Sequence, residues 1–577
     1  MEERKGWLGL PRRRTLLVAA LLTLTVALAA SSSFRDAPTF DEPIYITAGY
    51  HYLRDGNFTL NLEHPPLIKE ILALPLACMD LNRSTPPIGY FQTQNAYAHD
   101  FMFWMGNSPG MLLQLSRIPA YAMLVALGLL IYFWGKRIFG YRAALASLFC
   151  FALTPVFLGD GKLAILDLGA TLFMTAALTS FYLLLQGWSR RRFLGCVLLT
   201  AAALLSRFNA LVLMLLFPLL ALARPSFEPR LEGRNWWAVS RTLLGRCILV
   251  LLASFLLVLT FYGMHTSRLT RDQQELNISA NLKPNSPLVD PLLKVNKVSP
   301  PLSHYLLGMA HNYEYMQVNH ISYWNGYFSR QWRWYYYPWI FLLKTPLAVI
   351  LLFLAGLAVC LSRFRRWSSA FLIICLAILA LASEASKIQL GVRYIMPIFP
   401  FVLLLAGRGA AALLETRSGR RARAALLAAL LAWAMASVLL FTPSFLSYSN
   451  ELILDKDNAY KWLIDSNLDW GQDLQRLADF VDENGIEDLE IDYFGGGEPL
   501  YYLPAAREWC VEMAEWDPRR YERPHGWFAV SLTRRQLSFW ELEPRDDLSS
   551  PYGYKNWLMG YDPVYMIGDS ILLYYLK

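Results

Sequence analysis

The chain has 577 residues, of which 55% are hydrophobic and 17% are charged, and its mean hydropathy is +0.30. That composition is too apolar for a soluble enzyme of this length and indicates a polytopic α-helical membrane protein. The net charge of +8 comes from short basic clusters between apolar runs. Such clusters are typical of topology signals and not of a nucleic-acid-binding surface, so no nucleic-acid partner is expected.

Apolar runs that approach the length of a membrane crossing, about 20 residues for a hydrocarbon core of roughly 30 Å, recur along the chain. They predict about eleven transmembrane helices, at residues 15–30, 112–134, 143–158, 163–185, 193–205, 208–222, 247–262, 338–361, 370–382, 394–414 and 424–441. The basic connectors then all fall on one face, which the positive-inside rule assigns to the cytoplasm. The N-terminus is expected on that face, in a bacterial inner membrane.

The first apolar run is also compatible with a cleaved signal peptide. Three arginines at 12–14 precede a short apolar core, and Ala27-Leu28-Ala29 resembles a cleavage site. In either case the residues that follow the run lie on the outer face.

Large segments remain outside the membrane, namely residues 34–111, 264–337 and the tail 444–577. The tail is predicted to form a small extracytoplasmic α/β domain beside a transmembrane domain of residues 1–443. Its predicted elements are a helix at 472–484 ending at Gly485 and strands at 489–494, 527–532 and 571–576. Neither an internal repeat nor a matched pair of broken helices is found, which argues against a secondary transporter.

Cysteine and metal motifs give little information. Only Cys78 and Cys510 of the seven cysteines lie outside the crossings, so a disulfide between them stays open. The outer histidines His304, His311 and His320 do not have the spacing of metal ligands. A structural metal is not expected, while a need for a divalent cation is left open.

Two adjacent acids, Asp41 and Glu42, follow the first apolar run on the outer face. The stretch after them, 45–53, has the spacing of a helix lying in the membrane interface, and His64 follows a turn. Together these residues predict an interfacial cleft. The alternative is that the acids only begin a helix, because carboxylates favour helix N-termini.

Asp167 is a third candidate, because it lies inside the apolar run 163–185 near its outer end. Placing an acid in a spanning helix costs about 2.5 to 3.5 kcal/mol on insertion scales, so such acids are functional candidates. The structural alternative is a salt bridge to Lys162 or Arg207.

Cations stand at the predicted outer ends of two later crossings. Lys344 precedes Pro346, which can start a helix, and Arg393 with Tyr394 begins the tenth crossing. Helix N-termini with a Lys or Arg form anion sites, so an anionic lipid headgroup is the favoured partner. The alternative is that both cations, like the aromatic belt at 324–339, only anchor helices at headgroup depth.

Taken in order along the chain, these motifs resemble the bacterial GT-C glycosyltransferases, which are related to the protein O-mannosyltransferases and the lipid A aminoarabinose transferase. The resemblance is carried by Asp41-Glu42, the His-Pro-Pro-Leu at 64–67, Asp167, the segment 334–338 before Lys344-Thr345-Pro346, Arg393-Tyr394 with Pro397, and the tail motif at 465–473. It spans nearly the whole chain and implies the GT-C fold.

The resemblance also implies an activity: inverting transfer of a sugar from a polyprenyl monophosphate to an acceptor hydroxyl of a protein, glycan or lipid. Asp41 would be the base, with Glu42 beside it and Asp167 near the site. The donor phosphate would meet Lys344, Arg393, Tyr394 and Arg207, and the acceptor or sugar would meet Tyr45 and His64. One departure concerns His64, where the aminoarabinose transferase has a lysine, so phosphate binding is not transferred to it.

Two other functions compete with this hypothesis. A transporter or flippase of a lipid-linked saccharide would use Asp167 as its coupling acid. A sugar-sensing scaffold with a degenerate site would bind the donor without turnover. Transfer of label from a lipid-linked sugar to an acceptor indicates the enzyme, movement of the lipid between leaflets without transfer indicates the flippase, and donor binding that requires Lys344 and Arg393 without turnover indicates the scaffold.

Overall fold

A computed structural model describes residues 12–89, 91–227, 236–317, 321–415, 418–509, 524–538, 558 and 560–577. Cys510 and His320 lie outside the described residues, and so does the disulfide considered for Cys510.

The N-terminal half consists of one helix, a large connection and the first helices of a bundle. The first helix and the connection after it contain α1 (Arg12–Ser33), α2 (Glu42–Arg54), α3 (Leu67–Ala73), a 3-10 turn (Leu74–Leu76), α4 (Phe91–His99) and a π-helical turn (Asp100–Trp104). The bundle then contains α5 (Pro109–Phe139), α6 (Tyr141–Ala152), α7 (Pro155–Gly159), α8 (Leu166–Gln186), α9 (Arg190–Leu204), α10 (Val212–Ala223) and α11 (Trp236–Thr266). Three 3-10 segments join them, at Asp160–Lys162, Phe208–Leu211 and Arg224–Phe227.

A second large connection follows, and the chain then returns to the bundle. The connection contains α12 (Arg271–Ala280), α13 (Val289–Val298), α14 (Pro300–Gln317) and a hairpin of β1 (Ser322–Trp324) and β2 (Tyr327–Ser329). The remaining bundle helices are α15 (Tyr336–Lys344), α16 (Leu347–Ser362), α17 (Trp367–Glu384), a 3-10 segment (Val392–Ile398) with α18 (Phe399–Glu415), and α19 (Arg420–Leu439).

Within the described residues, eight helical segments are long and apolar enough to cross a membrane, and two bent helix pairs raise the number to ten. Each of the eleven predicted crossings contains helix, and ten of them correspond to these segments. The eleventh corresponds to α9, whose 15 residues are short for a full crossing. The chain is therefore a multi-pass integral membrane protein.

The predicted crossing at 338–361 is not one continuous helix. α15 and α16 are bent by 117° where they meet. Pro346 causes the break, because the residue before a proline avoids the helical region, and Thr345 is extended with φ −114° and ψ 131°. Lys344 consequently ends a helix, whereas the sequence pattern placed it at a helix start.

α18 packs closely against its neighbours through glycines. A Cβ at Gly356 of α16 would lie 1.8 Å from the carbonyl oxygen of Leu405, and one at Gly409 would lie 2.1 Å from that of Leu352. Small residues at such interfaces let helix backbones approach closely in membranes. The segment that begins at Arg393 is therefore held in the centre of the bundle.

The tail forms a mixed five-stranded sheet that confirms the predicted α/β content. Before the sheet lie 3-10 turns at Phe445–Ser447, Lys456–Lys461 and Asp465–Asn467 and the helix α20 (Leu474–Asn484). The rest consists of β3 (Leu489–Asp492), α21 (Pro499–Tyr502), β4 (Arg507–Glu508), β5 (Gly526–Ser531), α22 (Leu532–Ser538), β6 (Tyr565–Ile567) and β7 (Ile571–Leu576). The strand order is β4-β3-β5-β7-β6, parallel among the first three and antiparallel thereafter.

α20 covers one face of this sheet with its apolar stripe, Leu474, Leu477, Ala478 and Val481, all of which are buried. It ends at Gly485, whose φ of +61° is the left-handed conformation of a helix C-cap.

The tail is joined to the segment just before α2 by main-chain hydrogen bonds. The amide of Ala37 donates to the carbonyl of Gln472 at 2.9 Å, and the amide of Phe40 donates to the carbonyl of Trp470 at 3.2 Å. The ring of Phe40 also stacks on that of Phe494 at 5.4 Å. The segment before Asp41 is thus held between the bundle and the tail.

Candidate active site

A cavity of about 1220 Å³ lies where the first connection, the bundle and the tail meet. Its apolar wall comes from α8, α10, α14 and α17, and includes Met174, Val212, Met309 and Leu379. The polar groups on its wall include Asp41, Tyr45, Glu63, His64, Arg207, Asn312, Arg330, Arg393, Tyr394 and Asp465. Six of the nine sequence-predicted site residues therefore line one cavity: Asp41, Tyr45, His64, Arg207, Arg393 and Tyr394.

Four side chains form a ladder of alternating charge at this cavity, in the order Asp41, Arg393, Asp167 and Arg207. Nη1 of Arg393 lies 2.6 Å from Oδ2 of Asp41 and 3.9 Å from Oδ2 of Asp167. The other carboxylate oxygen of Asp167 pairs with Arg207. Asp167 is buried behind the two arginines and does not line the cavity, which agrees with the salt bridge that the sequence left as an alternative.

Two aromatic rings complete the setting of the arginines. The guanidinium of Arg393 lies 4.1 Å from the ring centroid of Trp470 and 5.2 Å from that of Tyr394. The guanidinium of Arg207 lies 5.0 Å from the same Tyr394 ring. The face of an aromatic ring attracts a cation more strongly when water is excluded. Trp470 and Tyr394 therefore help to hold the two guanidinium groups in place.

Asp41 does not serve as a helix cap. It is the residue before α2, but its side chain makes no capping hydrogen bond to the helix. Its Oδ2 binds Arg393 and lies 3.5 Å from the hydroxyl of Tyr45, and no hydrogen bond to Oδ1 is found within the described part of the chain. The carboxylate therefore faces the cavity, with 15% of the side chain exposed.

Glu42 points the other way, and the structure does not bring it into the cavity. Its carboxylate is fully buried and accepts two hydrogen bonds from Arg117, at 2.7 and 2.8 Å. The amides of Thr39 and Ala164 donate to it at 2.9 and 2.8 Å. The structure therefore does not bring the Glu42 carboxylate to the cavity beside Asp41: it is an internal anchor of the turn that carries Asp41.

Lys344 also lies outside the cavity. Its Nζ is buried and donates to the carbonyls of Leu446, Tyr448 and Asn467 at 2.8, 2.6 and 2.6 Å. All three donors of the ammonium group are thereby used. The structure therefore does not place Lys344 at the cavity, and this lysine ties the end of α15 to the tail.

Glu63, which also lines the cavity, pairs with a histidine. Nε2 of His311 lies 3.3 Å from Oε2 of Glu63, and the side-chain Nδ2 of Asn61 donates to Oε1 of Glu63 at 2.8 Å. Burial acts to raise the pKa of Glu63, but the hydrogen bonds from His311 and Asn61 and the charge of His311 lower it to about 2. This carboxylate is therefore ionised and already paired.

His64 lies next to Glu63, and its ring centroid is 6.3 Å from that of Tyr45. Burial lowers its pKa to about 3, and Arg207, Lys69 and His311 act in the same direction while Glu63 acts to raise it. A neutral imidazole can both donate and accept a hydrogen bond. The contact of His64 with the acceptor or the sugar stays a prediction.

No group of three His, Cys, Asp or Glu side chains with the geometry of a metal site occurs in the residues that the structure describes. The need for a divalent cation stays open.

Sequence reasoning did not pick out Trp470, Asp465 or the Glu63–His311 pair. The first two lie in the tail motif 465–473, which was noted only as a family signature. Its density of polar residues around a tryptophan was the available signal. Glu63 and His311 lie 248 positions apart in the sequence, so no local pattern could have indicated that they form a pair.

The comparisons with known proteins agree with this architecture. Residues 110–258 match the sequence model of the dolichyl-phosphate-mannose-protein mannosyltransferase family. A comparison with curated protein sequences gives no match.

Solved structures of membrane glycosyltransferases resemble most of the fold. The protein O-mannosyltransferase complex Pmt1–Pmt2 of S. cerevisiae, bound to its sugar donor, has a TM-score of 0.52 at 13% identity, over 75% of this chain and 90% of that one. The oligosaccharyltransferase of Archaeoglobus fulgidus in its apo form has a TM-score of 0.50 at 12% identity, over 86% and 64%. ArnT from Cupriavidus metallidurans, bound to undecaprenyl phosphate, has a TM-score of 0.47 at 13% identity and covers 97% of each chain.

The chain therefore has the GT-C fold, the architecture of a class of membrane glycosyltransferases, as the resemblance implied. Within that class, its residues 110–258 match the protein mannosyltransferase family.

Proposed function

We propose that this protein transfers a sugar from a polyprenyl monophosphate to an acceptor hydroxyl on the outer face of a bacterial inner membrane, with inversion at the anomeric carbon. The observation that carries the proposal is the placement of a cavity-facing carboxylate, Asp41, against a buried guanidinium, Arg393, with 2.6 Å between them. The reaction requires these two groups at one point.

The acceptor side of the reaction needs a base. A hydroxyl is a weak nucleophile, and a carboxylate within hydrogen-bond reach can accept its proton as the new bond to C1 forms. Asp41 is the acid of the ladder that faces the cavity, while Asp167 and Glu42 are committed to buried partners. We therefore assign the proton transfer to Asp41 alone.

The donor side needs fixed positive charge. The bond between C1 and the phosphate oxygen breaks with its electron pair on the phosphate, and preorganised cations stabilise that charge. Arg393 would share its guanidinium between Asp41 and the donor phosphate, with Arg207 and Tyr394 beside it. Binding of the phosphate to Arg393 would weaken the ion pair between Arg393 and Asp41 and make the Asp41 carboxylate a better base.

Asp167 then has a positioning role. It bridges Arg207 and Arg393 from the first turn of α8, so it keeps both guanidinium groups at one end of the cavity. Burial of an acid there is offset by two arginines, as expected for a charged group near the hydrocarbon core.

The apolar wall of the cavity supports a lipid-linked donor. Met174, Val212 and Leu379 belong to apolar helices of the bundle and lie on the same cavity as the charged ladder. A polyprenyl chain is apolar and its phosphate is anionic, so a cavity with both kinds of wall fits such a molecule. The proposed orientation has a cytoplasmic N-terminus and an extracytoplasmic tail domain from residue 444, following the basic connectors.

Purified protein in liposomes, supplied with undecaprenyl-phosphate [14C]mannose and membranes as the acceptor source, tests the proposal. We expect label on an acceptor and free undecaprenyl phosphate in equal amounts. Parallel reactions with the glucose, galactose and aminoarabinose donors extend the test to other sugars. Movement of lipid-linked sugar between leaflets without release of undecaprenyl phosphate from any of them would instead identify a flippase and refute the proposal.

A further inference from the structure

A short part of the tail, residues 465–473, forms a wall of the cavity and is named here the tail segment. Asp465 and Trp470 line the cavity, and Trp470 covers the guanidinium of Arg393 at 4.1 Å. The side chain of Asn467 accepts a hydrogen bond from the amide of Val392 at 2.9 Å, immediately before Arg393. The tail segment is therefore joined to the position at which the donor phosphate is proposed to bind.

The backbone of Asp465 has a conformation that is costly for a residue with a side chain. Its φ is +54°, in the left-handed region, and such residues cost on the order of 1 to 3 kcal/mol and concentrate at functional sites. The hydroxyl oxygen of Thr533 accepts from the Asp465 amide at 3.1 Å, and the Thr533 amide donates to Asp469 at 2.7 Å. Contacts with Thr533 of α22 thus maintain this conformation.

The result of that conformation is a carboxylate at the cavity. Oδ1 of Asp465 accepts a hydrogen bond from the amide of Ser466. Burial raises the pKa of this carboxyl, the hydrogen bonds from Ser466 and the charge of Arg393 act to lower it, and Asp41 acts to raise it. Asp465, Asp41 and Arg393 line the same cavity.

The tail segment holds other acids in quite different ways. Asp469 is fully buried and bound by Thr533, and Asp473 is buried and bound by Arg476 and Ser570. Both are consumed by internal contacts. Asp465 differs from both, because within the described residues its carboxylate is bonded only by its neighbour Ser466, and it lines the cavity together with Arg393.

We propose that Asp465 binds hydroxyl groups of the donor sugar and makes the protein distinguish a glycosylated lipid phosphate from a bare one. This inference rests on the proposed function. In the donor, C1 of the sugar is bonded to the phosphate that Arg393 would hold, so the ring lies next to that guanidinium. A carboxylate can accept several hydrogen bonds and can bind two neighbouring hydroxyls of one ring.

The test compares binding of two lipids that differ only in the sugar. Asp465→Asn is the informative variant, because asparagine adopts the left-handed conformation readily and so preserves the backbone. Asp482→Asn, an exposed residue of α20, is the matched control. Affinities of detergent-solubilised protein for undecaprenyl phosphate and for its mannosyl, glucosyl, galactosyl and aminoarabinosyl forms are measured by tryptophan fluorescence.

For Asp465→Asn we expect the affinity for the preferred glycosylated lipid to fall about 10- to 100-fold, the effect of losing hydrogen bonds to a charged acceptor. The affinity for undecaprenyl phosphate itself should stay within about twofold, which also shows that the variant is folded. Asp482→Asn should change neither.

Three results of the binding experiment would overturn the inference. They are unchanged binding of the glycosylated lipid, an equal loss for both lipids, or a wild-type protein that binds no glycosylated lipid more tightly than the bare one. A rise in the KM of the acceptor alone would also overturn it and assign Asp465 to the acceptor. Failure of the proposed function is a separate observation, namely that the wild type releases no undecaprenyl phosphate from any donor.

Discussion

Replacing Glu42 by glutamine should destabilise the protein rather than remove a catalytic group. The carboxylate is fully buried and accepts five hydrogen bonds, two from Arg117, two from Thr39 and one from Ala164. The amide group of glutamine would direct N–H groups at some of these donors and leave the buried Arg117 without its charge partner. Breaking a buried ion pair costs about 3 to 5 kcal/mol, and we expect Glu42→Gln to cost that amount.

The chain offers a matched control with the same type of contact at the surface. Arg271 binds Glu275 at 3.3 Å, and both side chains are exposed, by 66% and 42%. Exposed pairs contribute about 0 to 1 kcal/mol, so Glu275→Gln should leave stability nearly unchanged. Both variants remove the carboxylate partner of an arginine, one in the interior and one at the surface.

The free energy of unfolding is measured by denaturant titration in mixed micelles, and sugar transfer is measured under conditions in which each variant is folded. We expect Glu42→Gln to lose stability, with residual transfer in proportion to the folded fraction, and Arg117→Gln to behave alike. If Glu42→Gln unfolded like the wild type and yet transferred no sugar, the assignment as an anchor would be wrong and a catalytic role would be restored.

Two further predictions concern other charged groups near the cavity. Lys344→Met should destabilise the fold by about 3 kcal/mol, because three buried carbonyls lose their donor, while Arg393→Ala should lose most of the affinity for undecaprenyl phosphate. Fluorescence titration measures both the stability and the lipid affinity. Loss of lipid affinity in a folded Lys344→Met protein would support the phosphate contact predicted for Lys344. The Glu63–His311 pair should contribute about 1 to 3 kcal/mol of stability, measured as the coupling of Glu63→Gln and His311→Gln. Because the pKa of Glu63 is lowered from 4.5 and that of His311 is raised from 6.5, the coupling should be largest between these values, decline as pH falls toward 2, and vanish as pH rises through the histidine pKa. A coupling that does not change with pH would contradict this.

Much of the fold was predictable because it depends on local patterns. Apolar runs gave all eleven helical regions, since length and composition decide whether a segment can cross a membrane. The strands at 489–492, 526–531 and 571–576 followed from their β-branched and aromatic content. The break between α15 and α16 was also visible in the sequence as Pro346, although the pattern was interpreted as a helix start.

The site was predictable only in part, because residue type does not determine which partner a charge finds. Asp41, Arg207, Arg393 and Tyr394 were identified by position and resemblance, and the structure brings them to one cavity. Glu42 was misplaced because its partner, Arg117, is 75 positions away.

Lys344 was misplaced for a related reason. Its nearest carbonyl partner in sequence, Leu446, is 102 positions away, and tertiary packing alone brings the two together. Both corrections concern charged groups that are consumed by buried contacts, a condition that burial reveals and sequence does not.

The central claim is that Asp41 accepts the proton of the acceptor while Arg393 holds the donor phosphate. Its most direct test measures the rate of sugar transfer and the affinity for undecaprenyl phosphate in Asp41→Asn. Asp80→Asn is the control, an 81% exposed acid of the same connection. We predict that Asp41→Asn lowers transfer about 10²- to 10⁴-fold, the usual contribution of a general base, while lipid phosphate still binds and Asp80→Asn behaves like the wild type. Transfer at the wild-type rate by a folded Asp41→Asn protein would contradict the account.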